Sequence, residues 1–113
     1  MSLKFNMEIS NNLEKDAKKI AKEVLRRSMI EIQNLSKIYA PVDTSNLRNS
    51  IELISIRDDM YIINVFAPYA YYVEYGTWKM KAQPYLRPAL DEVKFKKIEE
   101  IRNQVISNLQ LTF

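Results

Sequence analysis

The sequence predicts an α+β fold in which a long N-terminal helix and a C-terminal helix pack on a small antiparallel β-sheet. Three observations lead to this prediction: a long amphipathic run near the N-terminus, two strand-like runs joined by an acidic pair, and a second amphipathic run near the C-terminus. The 113 residues suit a single domain covering 1–113. We expect residues 1–10 to form a flexible arm and residues 110–113 a frayed tail.

The first helix is predicted over residues 12–38, where apolar residues recur at steps of three and four and neither Gly nor Pro interrupts. Asn11 and Glu14 have the spacing of a capping box, and Pro41 disfavours helical geometry at the residue before it. The opposite face is basic, with Lys15, Lys18, Lys19, Lys22, Arg26 and Arg27. Such a face usually only contacts solvent, although contact with DNA or an acidic partner stays an alternative.

The runs 51–57 and 60–66 read as two strands of an antiparallel hairpin. Asp58 and Asp59 supply the two-residue connection that such a hairpin favours. Because an isolated hairpin is marginal in water, we expect it to pack on the long helix, and a further strand could join the sheet.

The remaining segments are a short helical turn, a loop and a last helix. We expect a turn or one short helical segment around Asn46 to Asn49. Residues 78–88 contain two prolines and no clean period, which indicates an ordered loop or an extended arm. The last helix is predicted from Pro88 to Leu109, because proline suits the first helical position.

The composition removes most kinds of catalytic site. The chain has no Cys and no His, so thiolate chemistry and the commonest general base are absent. One glycine argues against Gly-rich nucleotide loops, and Glu74 has no obvious second acid. Asp58 and Asp59 fit a turn better than a cation site. We therefore predict no enzymatic activity, no cofactor, no metal and no small-molecule substrate.

The charge and hydropathy of the chain limit its partners only weakly. A net charge of +3 permits contact with a nucleic-acid backbone but does not require it. No apolar run is long enough to span a bilayer, so we expect no membrane partner.

Residues 67–79, "APYAYYVEYGTWK", concentrate four of the seven tyrosines with the only tryptophan and the only glycine. Local packing of an irregular segment and a protein–protein interface explain this composition equally well. Stacking on single-stranded bases is a weaker explanation, because the stretch has no interleaved arginine.

Three segments occur in a fixed order: "APVDTSNLRNSI" at 40–51, "APYAYYVEYGT" at 67–77 and "KAQPYLRPAL" at 81–90. Together they resemble the tail-component, or tail-completion, family of long-tailed phages. The chain departs from the family pattern at two positions. Ser45 stands where glycine is usual, and Tyr85 where phenylalanine is common.

The resemblance implies a structural virion protein that joins the phage head to the tail. It implies an oligomeric ring, commonly a hexamer, whose neighbours are the head connector and the tail-tube protein, with genome DNA passing through the lumen. The protein would reside in the bacterial cytoplasm during assembly and then in the virion neck, or be encoded by a prophage.

The resemblance also assigns expected roles to single residues. Asp43 and Thr44 would fix the turn before the short helix, and Gly76 would allow a turn that a side chain would block. Glu74 and Arg87 are predicted to form a salt bridge. Tyr69, Tyr72 and Tyr75 would form a contact platform. The complete set of motif residues is Asp43, Thr44, Leu47, Arg48, Tyr69, Tyr72, Glu74, Tyr75, Gly76, Thr77, Gln83, Pro84, Leu86, Arg87 and Pro88.

Two other functions compete with this one. The first is a small nucleic-acid-binding protein that uses the basic face of helix 13–38. The second is a hydrolase or nuclease, which would have to assemble a carboxylate cluster from Asp43, Asp58, Asp59 or Glu74.

Overall fold

A computed structural model describes residues 1–6, 15–41 and 45–96. It confirms the predicted α+β class. The elements, in chain order, are β1 (Ser2–Asn6), α1 (Lys15–Tyr39), α2 (Ser45–Asn49), β2 (Ile51–Arg57), β3 (Met60–Val65), α3 (Ala70–Tyr75) and α4, whose described helical residues are 86–96.

The three strands form one antiparallel sheet in the order β1-β3-β2. The predicted hairpin is present, with Asp58 and Asp59 at its turn and an irregularity in the register between Ser55 and Arg57. Strand β3 ends at Val65, one residue earlier than expected.

The expectation of a flexible arm over 1–10 is wrong for residues 2–6, which form β1 and pair along β3. Residues 7–10 lie outside the described part of the chain. Leu3 and Phe5 alternate with polar residues, and both pack against the hydrophobic core. This alternation places the apolar side chains on one face of the strand. Strand β1 is therefore the further strand that the sequence allowed for in the sheet.

Helix α1 packs its apolar stripe against the inner face of the sheet. Leu25, Met29 and Ile32 are buried there, as are Ile63 and Val65 of β3. The helix ends at Tyr39, close to the predicted boundary, and the predicted residues 12–14 are outside the described ranges. Burying each large apolar side chain stabilises the fold by about 1.5–3 kcal/mol.

The short helix α2 confirms the helical segment expected around residues 46–49. Its Leu47 is fully buried. The Ser50 hydroxyl donates to the Leu47 carbonyl at 2.8 Å and accepts the Ala67 N–H at 3.1 Å. Ser50 therefore ties the corner between α2 and β2 to the chain that leaves β3.

Two elements near the aromatic segment differ from the predictions. Residues 70–75 were expected to be irregular, yet they form α3. Ala70, Val73 and Glu74 are its buried residues, a spacing of three and four that gives even this short helix one inward face.

Helix α4 begins at residue 86, so Pro88 is its third residue and not its first. The predicted helical residues 97–109 and the predicted tail 110–113 lie outside the described ranges. Among the described helices, none is long and apolar enough to cross a membrane.

Candidate functional site

Glu74 is a fully buried carboxylate on α3 that holds the start of α4. Its Oε2 accepts the backbone N–H groups of Tyr85 at 2.7 Å and Leu86 at 3.1 Å. Its Oε1 accepts the N–H of Arg87 at 2.9 Å. The first N–H groups of a helix have no partners within that helix. A carboxylate from a different helix therefore caps α4, where the helix dipole also favours negative charge.

The predicted salt bridge between Glu74 and Arg87 is confirmed. The Arg87 Nε lies 3.1 Å from Glu74 Oε1, and the Arg87 Nη2 donates to the Glu74 backbone carbonyl at 2.8 Å. The Arg87 side chain is about half exposed, whereas the Glu74 side chain has no exposed surface. A buried charge is tolerated when hydrogen bonds satisfy its oxygens, and here three backbone donors do so before the arginine is counted.

Pro88 completes this arrangement by lacking an N–H group. The segment Tyr85 to Arg87 therefore offers three consecutive donors, and the next residue offers none. A single carboxylate can accept all three, because each of its oxygens takes more than one hydrogen bond.

Gly76 ends α3 at a φ of 77°, the left-handed region that favours glycine. A Cβ atom at this position would lie 2.7 Å from the backbone nitrogen of Ala82 and 2.9 Å from the carbonyl oxygen of Met80. Conformation and space thus both require glycine, which confirms the role expected for Gly76.

The loop after Gly76 is ordered by backbone and side-chain hydrogen bonds. The Thr77 Oγ1 accepts the N–H groups of Lys79 at 3.2 Å and Met80 at 3.1 Å. The Thr77 N–H donates to the Met80 carbonyl at 2.8 Å. Trp78 projects from this loop with 90% of its surface exposed, and the Lys79 ammonium lies 4.6 Å from its ring centroid.

The outer side of α3 carries three exposed tyrosines, Tyr71, Tyr72 and Tyr75. The Tyr71 ring centroid lies 6.1 Å from that of Tyr72, edge-on, and 4.8 Å from that of Tyr75. The Arg87 guanidinium lies 4.6 Å from the Tyr75 ring centroid. We call Tyr71, Tyr72, Tyr75 and Trp78 the aromatic surface.

The tyrosines of the segment do not share one environment. Tyr69 is half-buried and packs against the core, unlike Tyr72 and Tyr75 with which it was grouped. Tyr85 is fully buried and donates its hydroxyl to the Ala70 carbonyl at 3.1 Å. Burial, followed by the nearby charge of Glu74, raises the pKa of Tyr85 well above its usual value.

The other motif residues occupy several parts of the described chain. Leu47 and Leu86 are buried in the core. Gln83 and Pro84 are exposed, and the Gln83 N–H donates to the Val73 carbonyl at 2.8 Å. Asp43 and Thr44 lie outside the described residues, so the role expected for them stays a prediction.

Arg48 is a described motif residue with an unsatisfied hydrogen-bond donor. Its side chain is half-buried, and its Nε is buried without a hydrogen-bond partner among the described residues. Tyr71, Trp78 and Ser50 also contribute to the site, although they were not among the motif residues given roles from the sequence. Helical spacing would have placed Tyr71 beside Tyr75, but the segment was not expected to be helical.

The acidic residues considered for catalysis do not come together in the described part of the chain. Asp58 lies 3.6 Å from the Lys22 ammonium, and Asp59 lies 3.4 Å from the Arg57 Nε. Glu74 is engaged in capping α4. Over the described residues, no group of three or more His, Cys, Asp or Glu side chains could hold a metal ion.

Comparison with known families identifies the class of protein, which is a tail component of bacteriophages. Residues 4–76 match a family model described as "Bacteriophage HK97-gp10, putative tail-component", and the chain belongs to this HK97-gp10-like family. The match confirms the family that the three motifs suggested. It ends at Gly76, so the motif at 81–90 lies beyond it, although Glu74 holds that motif by direct hydrogen bonds. No curated protein and no solved structure matches the chain.

Proposed function

We propose that this tail component is a non-enzymatic subunit of the virion neck, which joins the head connector to the tail tube as part of a ring. The aromatic surface would form one side of the contact between neighbouring subunits. The observation that carries this proposal is that four aromatic side chains are 45–90% exposed. They lie on α3 and on the loop after it, both of which are held in place by hydrogen bonds.

Exposure of these side chains favours an interface. Tyr and Trp are enriched in protein–protein interfaces, and they dominate the binding energy where they occur. Each aromatic residue can bury about 150–250 Å². The three tyrosines are only 45–58% exposed and Trp78 is 90% exposed, so part of this area is already buried. The four residues together could still supply about half or more of one partner's share of a standard interface, which is about 800 Å².

Rigidity of the supporting structure also favours an interface. Glu74 fixes α3 to α4, Gly76 allows the turn that follows, and Thr77 orders the loop that carries Trp78. A contact surface that is already ordered loses less conformational entropy on binding. These contacts therefore support a role as a preorganised contact site.

A ring built head to tail needs a second, different patch on each subunit. Helix α1 offers one, since Ile20 and Ile38 are both exposed and lie about five helical turns apart on the same side. We propose that the aromatic surface of one subunit packs against this side of α1 in the next.

The test is the mass of the protein in solution, alone and mixed with the head connector or tail-tube protein of the same phage. Tyr72→Ala/Trp78→Ala should fold normally and fail to enter the assembly. Phe66→Ala/Phe95→Ala is the matched control, because it removes two exposed aromatic rings outside the aromatic surface. Normal assembly by the first variant would refute the assigned contact, and absence of any assembly by the unaltered protein would refute the ring.

A further inference from the structure

One side of α1 carries a row of basic side chains: Lys15, Lys18, Lys19, Lys22 and Arg26. With 3.6 residues per turn, these five positions fall within a sector of about 100° and extend about 16 Å along the helix axis. We call this row the basic stripe.

The hairpin turn lies beside the basic stripe and forms a groove with it. One cleft of about 300 Å³ is lined by Lys15, Lys18, Lys19, Lys22 and Asp58. An adjoining cleft of about 210 Å³ is lined by Lys19, Lys22, Glu23, Arg26, Asp58 and Tyr61. The two clefts share Lys19, Lys22 and Asp58, so they lie next to each other along the basic stripe.

Among the described residues at this end of α1, basic side chains outnumber acidic ones. Glu23 is held by Arg26 at 2.6 Å and Arg27 at 3.2 Å. Among the described residues 15–27, six basic side chains accompany two acidic ones, Asp16 and Glu23, and Asp58 of the hairpin turn lies beside them. This end of α1 is therefore rich in positive charge, in a chain whose formal net charge is +3.

The residue types of the basic stripe favour a nucleic-acid partner over a protein partner. Lysine is depleted from the cores of protein–protein interfaces, whereas aromatic residues are enriched there. Four of the five residues of the stripe are lysine, whereas the aromatic surface contains none. Duplex DNA presents one negative charge for about every 1.7 Å of its axis, and Lys and Arg side chains neutralise its phosphates.

We propose that the basic stripe binds the phosphate backbone of duplex DNA without preference for sequence. Contacts to phosphate carry no base information, which fits a groove lined by flexible lysines. This inference does not rest on the ring proposed above, because one subunit contains the complete stripe.

The test is the fluorescence anisotropy of a labelled 30-base-pair duplex, titrated with the protein at several salt concentrations. If the stripe makes three to four phosphate contacts, raising the salt from 50 to 200 mM should weaken binding by roughly 40- to 150-fold. Lys15→Ala/Lys19→Ala should weaken binding at 50 mM salt by about tenfold or more and flatten the salt dependence. Alanine suits the helix, so this variant should remain folded.

Two further variants make the test specific. Lys4→Ala/Lys94→Ala removes the same charge from exposed positions on β1 and α4, and should bind nearly as the unaltered protein does. Asp58→Asn removes an acid from the groove and should tighten binding. Equal losses in the two double variants, or no salt-dependent binding at all, would overturn the proposal. Equal affinity for polyglutamate at the same ionic strength would overturn the assignment to DNA in favour of an acidic protein partner.

Discussion

The carboxylate of Glu74 lies 2.9 Å from the backbone nitrogen of Arg87 and 3.1 Å from its Nε. One acidic side chain therefore caps α4 and also pairs with a basic side chain in its first turn. The two motifs at 67–77 and 81–90 are thus one structural unit, in which α3 holds the start of α4 through Glu74.

Replacing Glu74 should damage this unit severely. In Glu74→Ala, three backbone N–H groups lose their acceptor, and leaving buried donors unsatisfied costs about 1–3 kcal/mol each. Partial entry of water will lower the total, so we expect a loss of about 3–5 kcal/mol. Urea unfolding measures this loss. Glu52→Ala, at an exposed sheet position, is the control and should change stability by about 0.5 kcal/mol or less.

Replacing Arg87 should cost much less, although it is the other half of the ion pair. In Arg87→Ala the three backbone donors still hold the carboxylate, and water can replace the half-exposed guanidinium. Because only the arginine of this pair reaches solvent, and the backbone cap of the carboxylate stays in place, the expected loss is about 1 kcal/mol. A loss as large as that of Glu74→Ala would show that the ion pair, not the cap, stabilises this junction.

Replacing Gly76 tests the turn between α3 and the loop of Trp78. Gly76→Ala places a side chain at positive φ and within 3 Å of two backbone atoms. Strain of this kind costs about 1–3 kcal/mol, and the close contacts add to it. We expect a lower midpoint of urea unfolding together with altered Trp78 fluorescence. An unchanged midpoint would mean that the loop shifts freely to admit the methyl group.

Tyr85 should make the fold sensitive to high pH. Its pKa is raised in the folded state, first by burial and then by the charge of Glu74. An unfolded tyrosine ionises near pH 10, so above that pH the unfolded chain binds fewer protons than the folded one. Stability from this group is complete below about pH 10 and declines by about 1.4 kcal/mol for each further pH unit.

Tyr85→Phe isolates this effect. The substitution removes one hydrogen bond to the Ala70 carbonyl, which should cost about 1 kcal/mol at neutral pH. The free energy of unfolding should also fall less between pH 9 and pH 11 in Tyr85→Phe than in the unaltered protein, because the contribution of Tyr85 to that fall is removed. An equal decline in both proteins would contradict the assignment to Tyr85.

Trp78 provides a test of the proposed interface that needs no substitution in the aromatic surface. It is the only tryptophan of the chain and is 90% exposed, so its emission should resemble that of tryptophan in water and be quenched readily by iodide. Assembly through the aromatic surface should shift the emission to the blue and protect it from quenching. Assembly without either change would place the contact elsewhere.

Several elements were predictable because the information for them is local. The three- and four-residue spacing in α1, the two aspartates at the hairpin turn and the isolated Gly76 each concern neighbours in the chain. Helical and turn geometries depend on residues only a few positions apart, so a pattern in the sequence indicates them directly.

The sequence by itself determined the α+β class, the long helix, the hairpin and the position that must turn at positive φ. Tertiary structure decided that residues 2–6 would form a strand paired with β3. It also decided which tyrosines would be exposed and which N–H groups Glu74 would bind. β1 pairs with β3 about 60 positions away, and Glu74 caps a helix that starts 12 residues later. Both depend on the packing of distant segments, which no local spacing specifies.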